Sequence, residues 1–152
     1  MNPAVQHATL RFERHIADAP KVVFAAYSDV QQRVRWGVPS DAAVLIYDAA
    51  EFRHGGTDRF RCGPKNDPSI NGTTHYLSIA AEQHIVSSET LDRNGQQLAA
   101  ALTTVEFRPK ATGTELVVTV QIASFIGEGM IEGYEQGHRA SLDSLARFLT
   151  HS

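Results

Sequence analysis

Cysteine is nearly absent from this sequence. The 152-residue chain holds one, Cys62, so no disulfide forms within it, and a free thiol suits a reducing cytosol. No apolar run approaches the length that crosses a bilayer. The first seven residues show no Lys or Arg leading into an apolar stretch, so no secretory signal is expected and a cytoplasmic location is. Basic blocks are missing too. Fourteen Lys and Arg stand against seventeen Asp and Glu, a formal net charge of −3, which argues against nucleic acid as a partner. The seven histidines are scattered without helix-pair spacing, and Cys62 has no cysteine partner, so no metal site is expected. A Gly-x-Ser-x-Gly elbow is also lacking, and nothing local would activate Cys62 as a nucleophile. Residues 127–133 superficially resemble a dinucleotide fingerprint, but the spacing is one residue too long and the parallel βαβ context is missing. They read as a flexible lead-in to a helix, and no cofactor is expected.

What is present is ordinary globular composition, 42% hydrophobic and 20% charged, in a length that suits one core and one domain over residues 1–152. Residues 8–16 alternate, with Leu10, Phe12 and Arg14 on one face, which predicts a half-buried strand. Asp18 and Pro20 then predict a helix start. Apolar residues at spacings of three and four carry one or two short helices to Trp36-Gly37, and Pro39 blocks continuation.

From residue 42 to 123 the period is two. Six strands are predicted, at 43–47, 58–62, 73–80, 84–91, 97–108 and 114–123. Asn94-Gly95 is the strongest turn signal between them, since a type I′ turn needs positive φ at both central residues. Gly63 to Gly72, with two prolines and two glycines, reads as the one long and mobile loop. Connections as short as the others join antiparallel neighbours. From about Gly129 to Thr150 the helical period returns, with Ile131, Tyr134, His138, Leu142, Leu145 and Leu149 on one stripe. The expected fold is therefore α+β: a curved six- to seven-stranded antiparallel sheet wrapped around a long C-terminal helix, with two short helices after the first strand. One helix does not fill such a concavity, so a pocket between sheet and helix is expected.

The order of elements resembles the helix-grip fold of the START/Bet v 1-like (SRPBCC) superfamily. Its motifs resemble the activator of Hsp90 ATPase homologue 1-like branch. The matching pieces are Ala-Pro-Lys-Val-Val-Phe-Ala-Ala-Tyr-Ser-Asp at 19–29, Trp36, Phe-Arg-His-Gly-Gly at 52–56 and Arg-Phe-Arg-Cys-Gly-Pro at 59–64. Val-Glu-Phe at 105–107, Gly-Thr-Glu-Leu at 113–116 and Gly-His-Arg-Ala-Ser-Leu-Asp-Ser-Leu at 137–145 complete the set. The resemblance implies a fold shared by lipid carriers, polyketide cyclases and co-chaperone domains, and a fold does not dictate which. Family members usually carry Trp where this chain has His138. The sequence lacks the companion N-terminal domain of a eukaryotic Hsp90 activator, so Hsp90 is not expected as a partner.

Candidate residues follow from the predicted pocket. His138 lies on the apolar stripe and reads as a polar anchor near neutral pH, or as a core histidine bonded to a strand hydroxyl such as Thr103. Trp36 reads as the pocket mouth or as a packing anchor. Phe60 and Cys62 alternate with Arg59 and Arg61, and an inward Phe60 avoids burying two unpaired cations. Thr103, Val105, Phe107, Val118 and Tyr134 complete the expected lining, with Ala99 and Ala101 leaving room. The first expectation is a receptor for a small apolar or aromatic molecule. A cyclase- or dehydratase-type enzyme using His138 with Tyr76 or Glu89 is the second, and a co-chaperone-type interaction module the third. Homodimerisation through a strand edge or the outer sheet face stays open.

Overall fold

Alternating side chains build the first strand, β1 (Gln6–Ile16), which turns Phe12 and Ile16 into the core and Arg11, Glu13 and His15 to solvent. The computed structural model describes residues 4–38 and 40–150. Two short helices follow, α1 (Pro20–Ser28) and α2 (Val30–Trp36). Pro20 sits in the first turn of α1, where its missing N–H leaves no bond unmade. The cap position falls on Ala19 rather than Asp18, and the Asp18 carbonyl instead accepts from the Thr114 hydroxyl at 2.7 Å. Asp29 caps α2, its carboxylate accepting from the Gln31 N–H at 2.9 Å. Pro39, expected to block continuation, lies outside the described residues.

Six more strands precede the last helix: β2 (Ala43–Ala49), β3 (Thr57–Pro64), β4 (Ile70–Ala80), β5 (His84–Arg93), β6 (Gln96–Lys110) and β7 (Gly113–Ser124). They form one antiparallel sheet in the order β1-β7-β6-β5-β4-β3-β2, so β2 to β7 meander and β1 docks beside β7. The turn between β5 and β6 has the expected positive φ at both central residues, 52° at Asn94 and 80° at Gly95.

The predicted long loop is much shorter than its composition suggests. Gly63 pairs with Val44 and Gly72 with Phe60, so only residues 65–69 separate β3 from β4. Gly72 is a packing glycine rather than a loop glycine. The Phe60 ring lies where its Cβ would stand.

The last element, α3 (Glu128–Thr150), spans 23 residues, or roughly 35 Å at the usual rise. Tyr134, Leu142, Leu145 and Leu149 form its buried stripe against the sheet. Aromatic contacts seal the core beside α1: Phe107 meets Phe24 edge-on at 5.4 Å and Tyr27 at 5.5 Å. Such pairs contribute about 0.5–1.5 kcal/mol each beyond their area. The Trp36 indole N–H donates to the Ala26 carbonyl at 3.0 Å and pins α2 to α1. Among the described residues no helix is long and apolar enough to cross a membrane.

Candidate functional site

Helix α3 leaves part of the concavity empty. A cavity of about 500 Å³ lies between it and the sheet, a size typical of small-molecule pockets. Its origin is partly on the helix. Gly133 and Gly137, one turn apart, both border the cavity, and a Cβ built on either meets nothing within 4 Å. Ala99 and Ala101 do not line it; both are packed into the core. Gly133 is exposed and Gly137 half-buried, so the helix leaves room at Gly137 rather than the strand at its alanines.

Seven of the eight expected lining residues border the cavity: Trp36 from α2, Phe60 from β3, Thr103 and Val105 from β6, Val118 from β7, and Tyr134 and His138 from α3. The eighth, Phe107, does not. It is 3% exposed and wedged between Phe24 and Tyr27, because α1 packs over that end of β6. Strand β3 takes the register that keeps its arginines out. Phe60 and Cys62 face the cavity, Arg59 is exposed, and Arg61 pairs with Asp48 at 2.9 Å.

His138 is not bonded to Thr103. Its ring stacks against Phe12 at 5.8 Å and Tyr134 at 6.0 Å, and neither nitrogen has a hydrogen-bond partner among the described residues. Burial pushes its pKa down to about 4, so it is neutral at pH 7 and faces the cavity with one donor and one acceptor. Beside it the Tyr134 hydroxyl donates to Glu89 at 2.7 Å. Burial raises the Glu89 carboxyl well above its ordinary range, against the smaller opposing effect of that hydrogen bond. Cys62, on the same wall, is pushed up to about 11 by burial and by Glu89, so it stays a thiol.

A second polar cluster stands in the same wall, joining the expected Tyr76 to Arg33 and Asp58, for which the sequence raised no expectation. Arg33, only 8% exposed, donates through Nη1 to Asp58 at 2.8 Å and to the Tyr76 hydroxyl at 2.6 Å. Tyr76 in turn donates to Asp58 in a short hydrogen bond, and the other Asp58 oxygen accepts from the Glu51 N–H at 2.9 Å. Tyr47 lies under the guanidinium, 4.7 Å from its centroid. Burial works against the Arg33 charge, but Tyr47, Tyr76 and Asp58 outweigh it, so the cation persists. Tyr76, a candidate acid or base, is thereby committed to a structural triad, and burial raises its pKa. The signal for Asp58 was available: period two puts it on the same strand face as Phe60 and Cys62. Arg33 lies three residues from Trp36, on the same helix face. Among the described residues no three His, Cys, Asp or Glu side chains converge as metal ligands.

A curved antiparallel sheet gripping one long C-terminal helix over an open cavity is the architecture of the START/Bet v 1-like superfamily, and this chain has that fold. The family model for activator of Hsp90 ATPase homolog 1-like proteins matches residues 18–150, and the chain belongs to that family. An uncharacterized protein from Rhizobium leguminosarum is 29% identical over 98% of both chains, with a TM-score of 0.87. A Rhizobium loti protein is 34% identical over 96% of this chain and 99% of its own, with a TM-score of 0.84. An AHSA1-like protein from Aeromonas hydrophila shares the fold at 16% identity and a TM-score of 0.71, over 95% of this chain and 93% of its own. No curated protein matches the sequence.

Proposed function

We propose that this protein is a receptor for a small apolar or aromatic molecule, held between the sheet and α3. The observation that carries the reading is the cavity of about 500 Å³, walled mainly by aromatic and aliphatic side chains and by glycines that a closed core would not need. Native mass spectrometry of the protein after incubation with an organic extract of small apolar compounds tests it. Retained adducts are expected, and Gly137→Leu, which fills the void, abolishes them. A wild-type chain that retains nothing removes the reading.

Catalysis is the second reading, and one observation favours it. His138 borders the same cavity as Glu89, with Tyr134 touching both. A neutral imidazole with free nitrogens and a carboxyl of raised pKa are the groups a proton-transfer step requires. Product formation from a retained compound, lost in His138→Phe while the compound is still retained, supports this reading; recovery of unaltered compound from the wild type rejects it.

A further inference from the structure

Two polar groups on the cavity wall have bonding capacity that the protein does not use. At one end is Arg33. Its Nη2 has no partner among the described residues, both hydrogen bonds leaving from Nη1, and Nη2 keeps accessible surface where the unpartnered Nε is sealed off. A donor left unmade in a buried wall is unfavourable, and a ligand oxygen at Nη2 satisfies it. At the other end is Glu89. One carboxyl oxygen takes the Tyr134 hydroxyl, and the other has no partner among the described residues.

The register of the sheet fixes their separation. Asp58, which holds Arg33, pairs with Thr74, and Thr74 pairs with Glu89, so the backbones of Asp58 and Glu89 stand two strand spacings apart, about 10 Å, with the guanidinium against Asp58. Phe60, Trp36, Tyr47 and Ile85 line the same cavity. Ring faces and aliphatic branches of this kind suit a flat hydrocarbon body of roughly two to three rings.

Charge decides what the oxygens are. Asp58 already neutralises Arg33 at 2.8 Å, and the second pole is a carboxyl. An anionic ligand would leave a buried negative charge without a counter-ion, whereas a neutral oxygen would not. We propose that the cavity selects a neutral ring-system molecule with an oxygen at each end, one accepting from Arg33 and the other meeting Glu89. This rests on the receptor reading above and supplies the chemistry of its ligand.

Titration calorimetry with biphenyl, its para-hydroxy derivative, the para,para′-dihydroxy derivative and biphenyl para-carboxylate tests it on the intact chain. The dihydroxy compound spans a similar distance between its oxygens. Each hydroxyl is expected to tighten binding by about tenfold, and the carboxylate to bind more weakly than the monohydroxy compound. Arg33→Lys keeps a cation for Asp58 but cuts five N–H donors to three, two of them taken by Asp58 and Tyr76; it is expected to lower affinity for the dihydroxy compound several-fold more than affinity for biphenyl. Equal binding of biphenyl and the dihydroxy compound to the wild type overturns the inference, whatever the variant does, and so does tighter binding of the carboxylate. Those results leave the receptor reading standing. Failure of all four to bind overturns the inference, and the receptor reading falls with it only if the wild type also retains nothing from the organic extract.

Discussion

The Tyr134 hydroxyl donates to the Glu89 carboxyl at 2.7 Å and so fastens α3 to β5 across the cavity. This is a polar strut inside a mostly apolar hollow, and removing half of it strands the other half. Tyr134→Phe is expected to lower stability by about 1–3 kcal/mol, since the buried carboxyl loses its donor. The double variant Tyr134→Phe/Glu89→Leu is expected to recover part of that loss. Urea midpoints of the three proteins give the comparison, and an additive double variant would contradict it.

Stability is expected to depend on pH through two groups of opposite sign. His138 has a folded pKa of about 4 against 6.5 in its ordinary state. Its unfolded form takes up a proton first, so stability is full above about 6.5 and is lost as pH falls toward 4, by on the order of 3 kcal/mol. Glu89 is raised instead, so its unfolded form loses the proton first. Its contribution is full below the ordinary carboxylate pKa and declines as pH rises above it. His138→Phe flattens the first dependence and Glu89→Gln the second, in denaturant melts carried about one unit to either side of the usual stability maximum at roughly pH 5–8.

Arg33 and Asp58 are expected to behave as a unit. Either single change, Arg33→Met or Asp58→Leu, leaves a buried charge uncompensated and costs about 3–5 kcal/mol. Together they cost far less than the sum. A double-mutant cycle by chemical denaturation measures the coupling, and a coupling near zero would contradict the observed geometry.

The open glycines of α3 set stability against occupancy. Gly133→Ala and Gly137→Ala each place a methyl in empty space, and each is expected to stabilise the helix by up to about 1 kcal/mol. Gly137→Ala, at the half-buried position, also reduces the cavity. Thermal melts are expected to rise while the affinity for a bound aromatic compound falls.

Gly72 has no such freedom. Gly72→Ala drives a Cβ into the Phe60 ring within paired strands, and a loss of about 1–3 kcal/mol is expected. A wild-type melting temperature in this variant would show that Phe60 swings away without cost.

Most of the sheet was legible because short turns leave antiparallel neighbours little choice, and period two marks the inward faces. The boundaries at Gly63 and Gly72 were not. Turn-forming residues suggested a loop, whereas pairing with Val44 and packing against Phe60 hold them in strands. In the cavity, apolar residues followed from periodicity, and Phe107 failed only because α1 covers it. The Arg33–Asp58–Tyr76 triad stayed hidden for a physical reason. A charge on a short helix reads as solvated until its counter-ion is known, and that counter-ion lies 25 residues away.

Trp36 is the chain's single tryptophan, and it borders the hollow with its N–H fixed to Ala26. The indole emission of the entire molecule therefore originates at one wall of the cavity. This protein carries its own optical reporter of occupancy, and titrations can be followed without attaching a dye.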